Sequence, residues 1–309
     1  MSTAPRTLNE IFFGAMDRSA SRPVAMRVKR GGTWVETSFA DLLAQVQAFS
    51  IGLHELGVNA GDRLAILSEN RPEWAVTDFA CLACRCADVP VYPTLPAHQI
   101  EYILRDSGAV AVCCSSAAQL GKILEIRGNL PALKTIVVFD ADAATGGAIT
   151  FESVLAKGRA AIPKYPTWRA DALAIKPDDL ATLIYTSGTT GDPKGVMLTH
   201  GNITSDVMAG LQVLDLRQSD ECLSFLPLSH IFERMAGHYC MTQQGAIINY
   251  ATSIEAVPIE MGELRPTVVC SVPRLYEKIY ARVLENAMAG SPTKQKIFLW
   301  AKRIGEAWA

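Results

Sequence analysis

The sequence predicts an α/β fold in which layered sheets are flanked by helices. Hydrophobic residues make up 49% of the 309 residues and charged residues 19%, a composition typical of a chain that buries a core. From Arg63 onward, short apolar segments alternate with longer segments of helical periodicity, and this alternation is typical of a mostly parallel sheet with helices on both faces.

Helix and strand signals follow one another through the first half of the chain. Apolar residues at helical spacing predict a helix from Leu8, and the capping-box spacing of Ser38 and Asp41 predicts another from Phe39. The further elements expected before residue 140 are strands at 24–28, 63–67, 89–92, 109–114 and 135–139 and helices at 72–86, 97–106 and 117–127. Residues 141–179 break the alternation, and their glycines, prolines and scattered charges predict a connecting stretch.

The second half resumes the alternation around an apolar strand at 180–185. The elements expected after it are strands at 196–199, 222–227, 245–250 and 267–271 and helices at 201–213, 232–243, 273–289 and from 294 onward. A length of 309 residues exceeds the usual 100–200 residues of one domain, so we expect two subdomains, residues 1–175 and residues 176–309.

The most informative motif follows the strand at 180–185. It consists of Thr186, Ser187, Gly188, Thr189, Thr190, Gly191, Asp192, Pro193, Lys194 and Gly195. Glycines let backbone N–H groups approach an anion closely, while hydroxyls and a lysine add donors and charge, so this composition predicts a polyphosphate cradle. A P-loop is excluded, because that motif needs a Gly-Lys-Ser/Thr sequence before a helix, whereas Lys194 stands between Pro193 and Gly195 and a second strand follows. The alternative is an ordinary Gly/Thr-rich hairpin turn.

Charge and hydropathy exclude several function classes. The net charge of −2 does not indicate a nucleic-acid partner, and the apolar runs fall short of the roughly 18–20 residues of a membrane span. The N-terminus lacks the apolar core of a signal peptide, so we expect a cytoplasmic protein. The helix from 294 places Trp300 and Trp308 opposite several basic residues, which leaves open peripheral membrane contact or packing on the protein's own core.

Three closely spaced cysteines, Cys81, Cys84 and Cys86, raise the question of a metal site. A four-ligand zinc site needs a second suitably spaced pair, and the adjacent Cys113 and Cys114 do not provide one. We therefore expect these thiols to act as small hydrophobes and predict no metal-ligating residues.

Motifs along nearly the whole chain resemble the AMP-forming acyl-CoA synthetases of the adenylate-forming enzyme superfamily. The run 186–195 is similar to that family's phosphate loop, and the segments 224–234 and 272–279 resemble stretches of its long-chain fatty acid branch. The motifs 70–74 and 89–95 fit the same branch. The resemblance implies the large N-terminal domain of such an enzyme, with residues 1–175 as its first α/β subdomain and 176–309 as the start of the second.

The resemblance also implies roles for individual residues. Thr186, Ser187, Thr189 and Thr190 would donate to the β- and γ-phosphates of ATP, Gly188, Gly191 and Gly195 would line the phosphate site, and Lys194 would be a mobile counter-charge. His230 would lie beside the adenylate and the acyl carboxyl group, with a helix-capping role as the alternative. Gly237, Arg274 and Tyr276 are candidates for the substrate pocket, with purely structural roles as the alternative.

The implied reaction converts a long-chain fatty acid and ATP into an acyl-adenylate and pyrophosphate, after which coenzyme A displaces AMP. The small-molecule partners are thus the fatty acid, ATP and CoA, with Mg²⁺ as cofactor; oligomeric state is not predicted. The family's later Thr-Glu motif, ribose-binding aspartate and C-terminal lid domain are not found after Gly195, so we expect this chain alone to show little ligase activity. Two alternatives stay open: adenylation of an aryl or amino acid, and a non-catalytic module that binds a nucleotide or acyl group.

Overall fold

The structure, a computed structural model, describes residues 4–186 and 192–308. The strands are β1 (Met26–Arg30), β2 (Thr33–Thr37), β3 (Arg63–Leu67), β4 (Ala87–Val91), β5 (Ala111–Cys114), β6 (Thr135–Val138), β7 (Ile149–Thr150), β8 (Leu180–Thr186), β9 (Lys194–Thr199), β10 (Glu221–Ser224) and β11 (Ile247–Tyr250). The helices are α1 (Leu8–Ser19), α2 (Phe39–Glu55), α3 (Pro72–Ala83), α4 (Ala97–Ser107), α5 (Ala117–Ile126), α6 (Phe151–Ala161), α7 (Trp168–Leu173), α8 (His200–Val213), α9 (Ile231–Glu233), α10 (Met241–Gln244), α11 (Val257–Leu264), α12 (Pro273–Met288) and α13 (Pro292–Trp308). A π-helix, Arg234–Cys240, joins α9 to α10.

A seven-stranded sheet with the order β7-β6-β5-β3-β4-β8-β9 forms the centre of the fold. Its strands are parallel except β9, which pairs antiparallel with β8. A second sheet has the order β10-β11-β1-β2, in which only the β1–β2 pair is antiparallel. The prediction of an α/β fold with layered, mostly parallel sheets is therefore confirmed.

Successive side chains of the large sheet enter two separate cores, because neighbouring residues of a strand point to opposite faces. On β3, Leu64 and Ile66 join the core covered by α2, α3 and α6, whereas Ala65 and Leu67 join the core covered by α4 and α5. Helices on both faces are what the strand–helix alternation predicts.

The connecting stretch predicted for 141–179 is wrong over much of its length. It contains β7, α6 and α7, and α6 lies so close to α2 that a Cβ atom on Gly158 would overlap the carbonyl oxygen of Ala48. Buried apolar residues on α6 follow the helical spacing of Phe151, Val154 and Leu155. The nearby prolines and glycines obscured that periodicity.

Two smaller expectations are also corrected. The strand expected at 267–271 is reduced to a single bridge between Cys222 and Val268. The helix expected at 232–243 is present, but its middle is wound as a π-helix. Both differences depend on contacts made elsewhere in the chain, which local patterns do not contain.

The chain divides into two compact units, Met1–Val269 and Cys270–Ala309. The second consists of α12 and α13, where the ammonium of Lys302 lies 5.4 Å from the ring centroid of Tyr280. Within the described residues, no helix is both long and apolar enough to cross a membrane. The subdomain boundary predicted between residues 175 and 176 stays a prediction.

Candidate functional site

A cavity of about 750 Å³ opens at the carboxyl ends of β4 and β8, within the first unit. Ligands of open α/β sheets bind at this edge, where the strand ends leave a crevice. The lining is mostly apolar and aromatic and comes from β4, α4, β8 and the start of α9: Pro90, Tyr92, Leu95, His98, Gln99, Tyr102, Ile103, Ile184, Tyr185, Thr186, Asp192, Pro193, His230 and Ile231.

The predicted phosphate motif joins β8 to β9, and its residues Thr186, Asp192 and Pro193 line this cavity. The two strands pair antiparallel from Leu180 opposite Thr199 to Thr186 opposite Lys194, so the predicted strand–loop–strand arrangement is confirmed. Of the motif's predicted phosphate-contacting residues, Ser187, Gly188, Thr189, Thr190 and Gly191 lie outside the described residues. Thr186 is the last residue of β8 and Lys194 is the first residue of β9, and the Lys194 side chain is exposed.

Tyr185 fixes the end of β8 beside the motif. Its hydroxyl donates a hydrogen bond of 2.6 Å to the Asp106 carboxylate at the end of α4. Burial, followed by this carboxylate, raises the pKa of the Tyr185 hydroxyl, which therefore stays protonated and donates. A Cβ atom on Gly195 would stand 3.0 Å from Cζ of Tyr185, so the glycine lets β9 lie against the tyrosine ring.

His230 begins the helical segment that borders the cavity. Its Nδ1 accepts a hydrogen bond of 3.2 Å from the backbone N–H of Phe232, which makes it the N-cap residue of α9. The same side chain lines the cavity. His230 thus both caps α9 and lines the cavity, although the sequence presented these as alternatives. Its role in the reaction stays a prediction.

A fully buried ionic cluster begins four residues after His230, at Arg234, and it was not predicted from the sequence. Its centre is Arg234, whose Nη1 donates to Asp88 Oδ1 and to Thr182 Oγ1, each at 2.9 Å. The guanidinium also contacts Asp78 and the second oxygen of Asp88. Tyr239 donates 3.0 Å to Asp78 Oδ2 and lies 3.0 Å from Nε of Arg234.

The charges of this cluster are set by burial and by pairing. Burial alone would lower the pKa of Arg234, but the carboxylates of Asp78 and Asp88 outweigh it and raise that pKa, so the guanidinium stays charged. Burial, and then the neighbouring Arg234, lowers the pKa of His238 to about 3, which keeps its imidazole neutral. His200 and His238 are both buried, and in each one ring nitrogen lacks a partner among the described residues.

Gly237 lies inside the π-helix and packs on Glu233. A Cβ atom at Gly237 would overlap the Glu233 carboxyl group. Glu233 accepts a 2.6 Å hydrogen bond from Ser224, while its Oε2 has no partner among the described residues. Burial raises the pKa of Glu233 to about 7. The structure thus gives Gly237 a packing contact; its predicted place in a substrate pocket stays a prediction.

The remaining predicted pocket residues belong to the second unit. Arg274 and Tyr276 lie in the first turns of α12, and 61% of the surface of Tyr276 is exposed there. Their predicted roles are not tested within that unit.

Cys81 and Cys114 are buried thiols, and each belongs to one of the two hydrophobic cores. Burial raises the pKa of Cys81 to about 11 and that of Cys114 to about 12. In the described parts of the chain, 4–186 and 192–308, no group of three or more His, Cys, Asp or Glu side chains could hold a metal ion. Since Mg²⁺ is commonly held by one or two carboxylates together with substrate phosphates, this finding concerns only a site built from protein ligands alone.

Comparison with known proteins gives consistent matches. The family model described as AMP-binding enzyme matches residues 14–304. The long-chain-fatty-acid–CoA ligase FadD15 of Mycobacterium bovis is 34% identical over 280 residues, which are 90% of this chain and 45% of that protein. The peroxisomal long chain acyl-CoA synthetase 7 of Arabidopsis thaliana is 34% identical over 312 residues, covering 94% of this chain and 42% of its own length. This chain therefore spans less than half the length of these two relatives.

Solved structures show the same fold. The anthranilate CoA ligase AuaEII in complex with anthranoyl-AMP matches with a TM-score of 0.75 and 22% identity, over 89% of this chain and 51% of that one. A long-chain-fatty-acid-CoA ligase from Archaeoglobus fulgidus matches with a TM-score of 0.74 and 19% identity, over 92% of this chain and 55% of that one. At these identities the likeness concerns the fold.

Proposed function

Because the chain belongs to the AMP-binding enzyme family, we propose that it carries the triphosphate and acyl sites for ATP-dependent activation of a long-chain fatty acid. The observation that carries the proposal is the β8–β9 hairpin, whose connecting motif is rich in hydroxyls and glycines and whose ends border a 750 Å³ cavity. His230 lines that same cavity.

The reaction has two steps, and both are substitutions. A carboxylate oxygen of the fatty acid bonds to the α-phosphorus of ATP while the bond from that phosphorus to the bridging oxygen breaks, releasing pyrophosphate. The thiol of coenzyme A then loses its proton to solvent as its sulfur bonds to the acyl carbon. The bond from that carbon to the phosphate oxygen breaks, and AMP leaves with the electron pair. AMP is a far better leaving group than the oxide that a free carboxylate would have to expel.

Holding several anions together is the main difficulty of the first step, so positioning and charge stabilisation carry the catalysis. Lys194 begins β9 and is exposed, which suits a mobile counter-charge for the departing pyrophosphate. Thr186 ends β8 at the cavity and would donate its hydroxyl to a phosphate oxygen. Mg²⁺ is expected to enter with the phosphates of ATP, and CoA to enter as the second substrate.

A fatty acid is favoured as the acid by the cavity and by the relatives. Aliphatic side chains such as Leu95, Ile103 and Ile184 supply much of the cavity lining. The two curated relatives are named as ligases or synthetases of long-chain acids. We therefore assign a long-chain fatty acid as the substrate. The exchange assay below distinguishes it from aryl and amino acids.

Calorimetric titration with MgATP tests the triphosphate site directly. Lys194→Met removes the counter-charge, and since a hydrogen bond to a charged group contributes about 1.5–3 kcal/mol, the Kd should rise roughly 10- to 100-fold. Lys176→Met removes another exposed lysine and should leave the Kd unchanged. Equal affinities for wild type and Lys194→Met would contradict the assignment of the site.

Acid-dependent exchange of pyrophosphate into ATP tests the substrate. The assay uses the protein expressed from its complete reading frame, with palmitate, benzoate and a mixture of amino acids in parallel. Exchange that depends on palmitate supports a fatty acid, whereas exchange with benzoate or amino acids alone would move the assignment to those acids. ATP binding without exchange for any acid would favour the non-catalytic module.

A further inference from the structure

The helical segment that starts at His230 is tied to the central sheet by one buried side chain. Arg234 lies one turn after His230, and its backbone N–H donates to the His230 carbonyl at 3.2 Å. Its guanidinium reaches Thr182 on β8 and Asp88 on β4. The side chains of Arg234, Asp78 and Asp88 are all 0% exposed.

The π-helix explains how this segment assembles the cluster. In an α-helix residues advance by roughly 100° each, so positions 234 and 239 would lie about 140° apart. A π-helix closes i→i+5 hydrogen bonds and advances by roughly 80° per residue, which brings those two positions to within about 40° of each other. Tyr239 can therefore bond to Nε of Arg234 and to the Asp78 carboxylate at the same time.

The cluster connects two strands that line the cavity, β4 and β8, with helix α3. Asp78 belongs to α3, Asp88 to β4 and Thr182 to β8, the strand that runs into the phosphate motif four residues later. Arg234 is thus a rigid link between the strand that leads to the phosphate motif and the helical turn that begins at His230. The planar guanidinium fork suits this role because it donates to two carboxylates and two hydroxyls in fixed directions.

We infer that Arg234 is a positioning residue, held by Thr182 and Tyr239, that sets the place of His230 relative to the phosphate motif during adenylate formation. The inference rests on the proposed function for its chemical consequence. Its structural part, the tie between β8 and the π-helix, is independent of that function. Replacing Arg234 itself would leave two buried carboxylates unpaired, so milder variants are needed.

Thr182→Val and Tyr239→Phe each remove one hydroxyl from the cluster and keep the shape of the side chain. Matched controls are Thr77→Val, whose buried hydroxyl donates 2.7 Å to the Glu73 carbonyl within α3, and Tyr250→Phe, whose buried hydroxyl lies 3.8 Å from the Met26 sulfur. All four variants are made in the protein expressed from its complete reading frame. Two measurements are compared: amide hydrogen exchange in segments 183–186 and 230–240, and the rate of palmitate-dependent ATP–pyrophosphate exchange.

Thr182→Val and Tyr239→Phe should speed amide exchange in both segments at least threefold. They should also lower the kcat of pyrophosphate exchange about tenfold while the KM for ATP changes less than threefold. The controls should stay within twofold of wild type in all these quantities. Such a split between kcat and KM is not expected from a role in stability alone.

Two results would overturn the inference. One is amide exchange in Thr182→Val and Tyr239→Phe that matches the controls. The other is faster amide exchange with an unchanged kcat. If wild type catalyses no pyrophosphate exchange with any acid, the proposed function fails, and the amide exchange alone then decides whether Arg234 ties the two segments together.

Discussion

The hydroxyl of Tyr185 offers a sharp test of how the phosphate motif is held. Tyr185→Phe removes the 2.6 Å hydrogen bond to Asp106 and keeps the ring on which Gly195 packs. The end of β8 then loses its tie to α4, directly before Thr186. We expect a less rigid motif and weaker binding of a triphosphate.

The size of the effect follows from the surroundings of the bond. A hydrogen bond to a charged acceptor contributes about 1.5–3 kcal/mol, and because Asp106 is exposed, water screens this one to about 1 kcal/mol. In a domain of this size that corresponds to a Tm lower by about 2–4 °C. If the same energy is lost from the bound state, the Kd for MgATP rises about fivefold.

The assay is thermal unfolding without nucleotide, combined with titration of MgATP at 25 °C. Tyr165→Phe is a matched control, since the Tyr165 hydroxyl donates 2.9 Å to the Glu55 carboxylate and neither residue is among those that line the cavity. It should lower the Tm by a similar amount and leave the Kd unchanged. An unchanged Kd in Tyr185→Phe, or an equal rise of the Kd in Tyr165→Phe, would refute the argument.

Three further predictions concern stability. Gly158→Ala places a Cβ atom on the Ala48 carbonyl and should lower the free energy of unfolding, measured in urea, by about 3 kcal/mol. Its control, Gly121→Ala, has open space around it in α5 and should raise that free energy by about 0.5–1 kcal/mol. Equal effects of the two variants would refute the close approach of α6 to α2. Folding raises the pKa of Glu233 from 4.5 to about 7, so between these pH values the folded protein keeps a proton that the unfolded chain loses. The free energy of unfolding of the wild type therefore falls by up to about 3 kcal/mol as the pH rises through this range. Glu233→Gln should remove this loss, so that its Tm advantage over wild type widens from pH 4.5 to 7; a constant difference would refute it. Asn70→Ala removes three hydrogen bonds that hold Ser224 and residues 226 and 228, and should lower stability by about 2 kcal/mol and speed amide exchange in 225–229; protection equal to wild type would refute it.

Local periodicity was enough to predict most of the large sheet. The strands and helices between Arg63 and Val138 alternate regularly, and each strand buries both faces, so apolar runs identify them. The hairpin around the phosphate motif was also predictable, because glycines and Asp192-Pro193 separate two apolar strands. Helix α6 has a periodic apolar face, but the glycines before it and the prolines after it favoured a loop.

The ionic cluster could not be predicted from local patterns. Asp88 and Arg234 are 146 positions apart, and neither neighbourhood indicates its partner. The available signal was weak: Asp78 and Asp88 each stand alone in an apolar segment, where a charge needs a partner. The π-helix was not predicted either, and within it Arg234 and Tyr239 contact residues of α3 and the sheet that lie far away in the sequence.

The most direct test of the account is fatty-acid-dependent ATP–pyrophosphate exchange by the protein expressed from its complete reading frame. We predict exchange that requires a long-chain acid, that falls at least tenfold in Lys194→Met and in His230→Ala, and that Lys176→Met leaves unchanged. Exchange that proceeds equally well in Lys194→Met and His230→Ala would contradict the placement of the site at this hairpin and cavity.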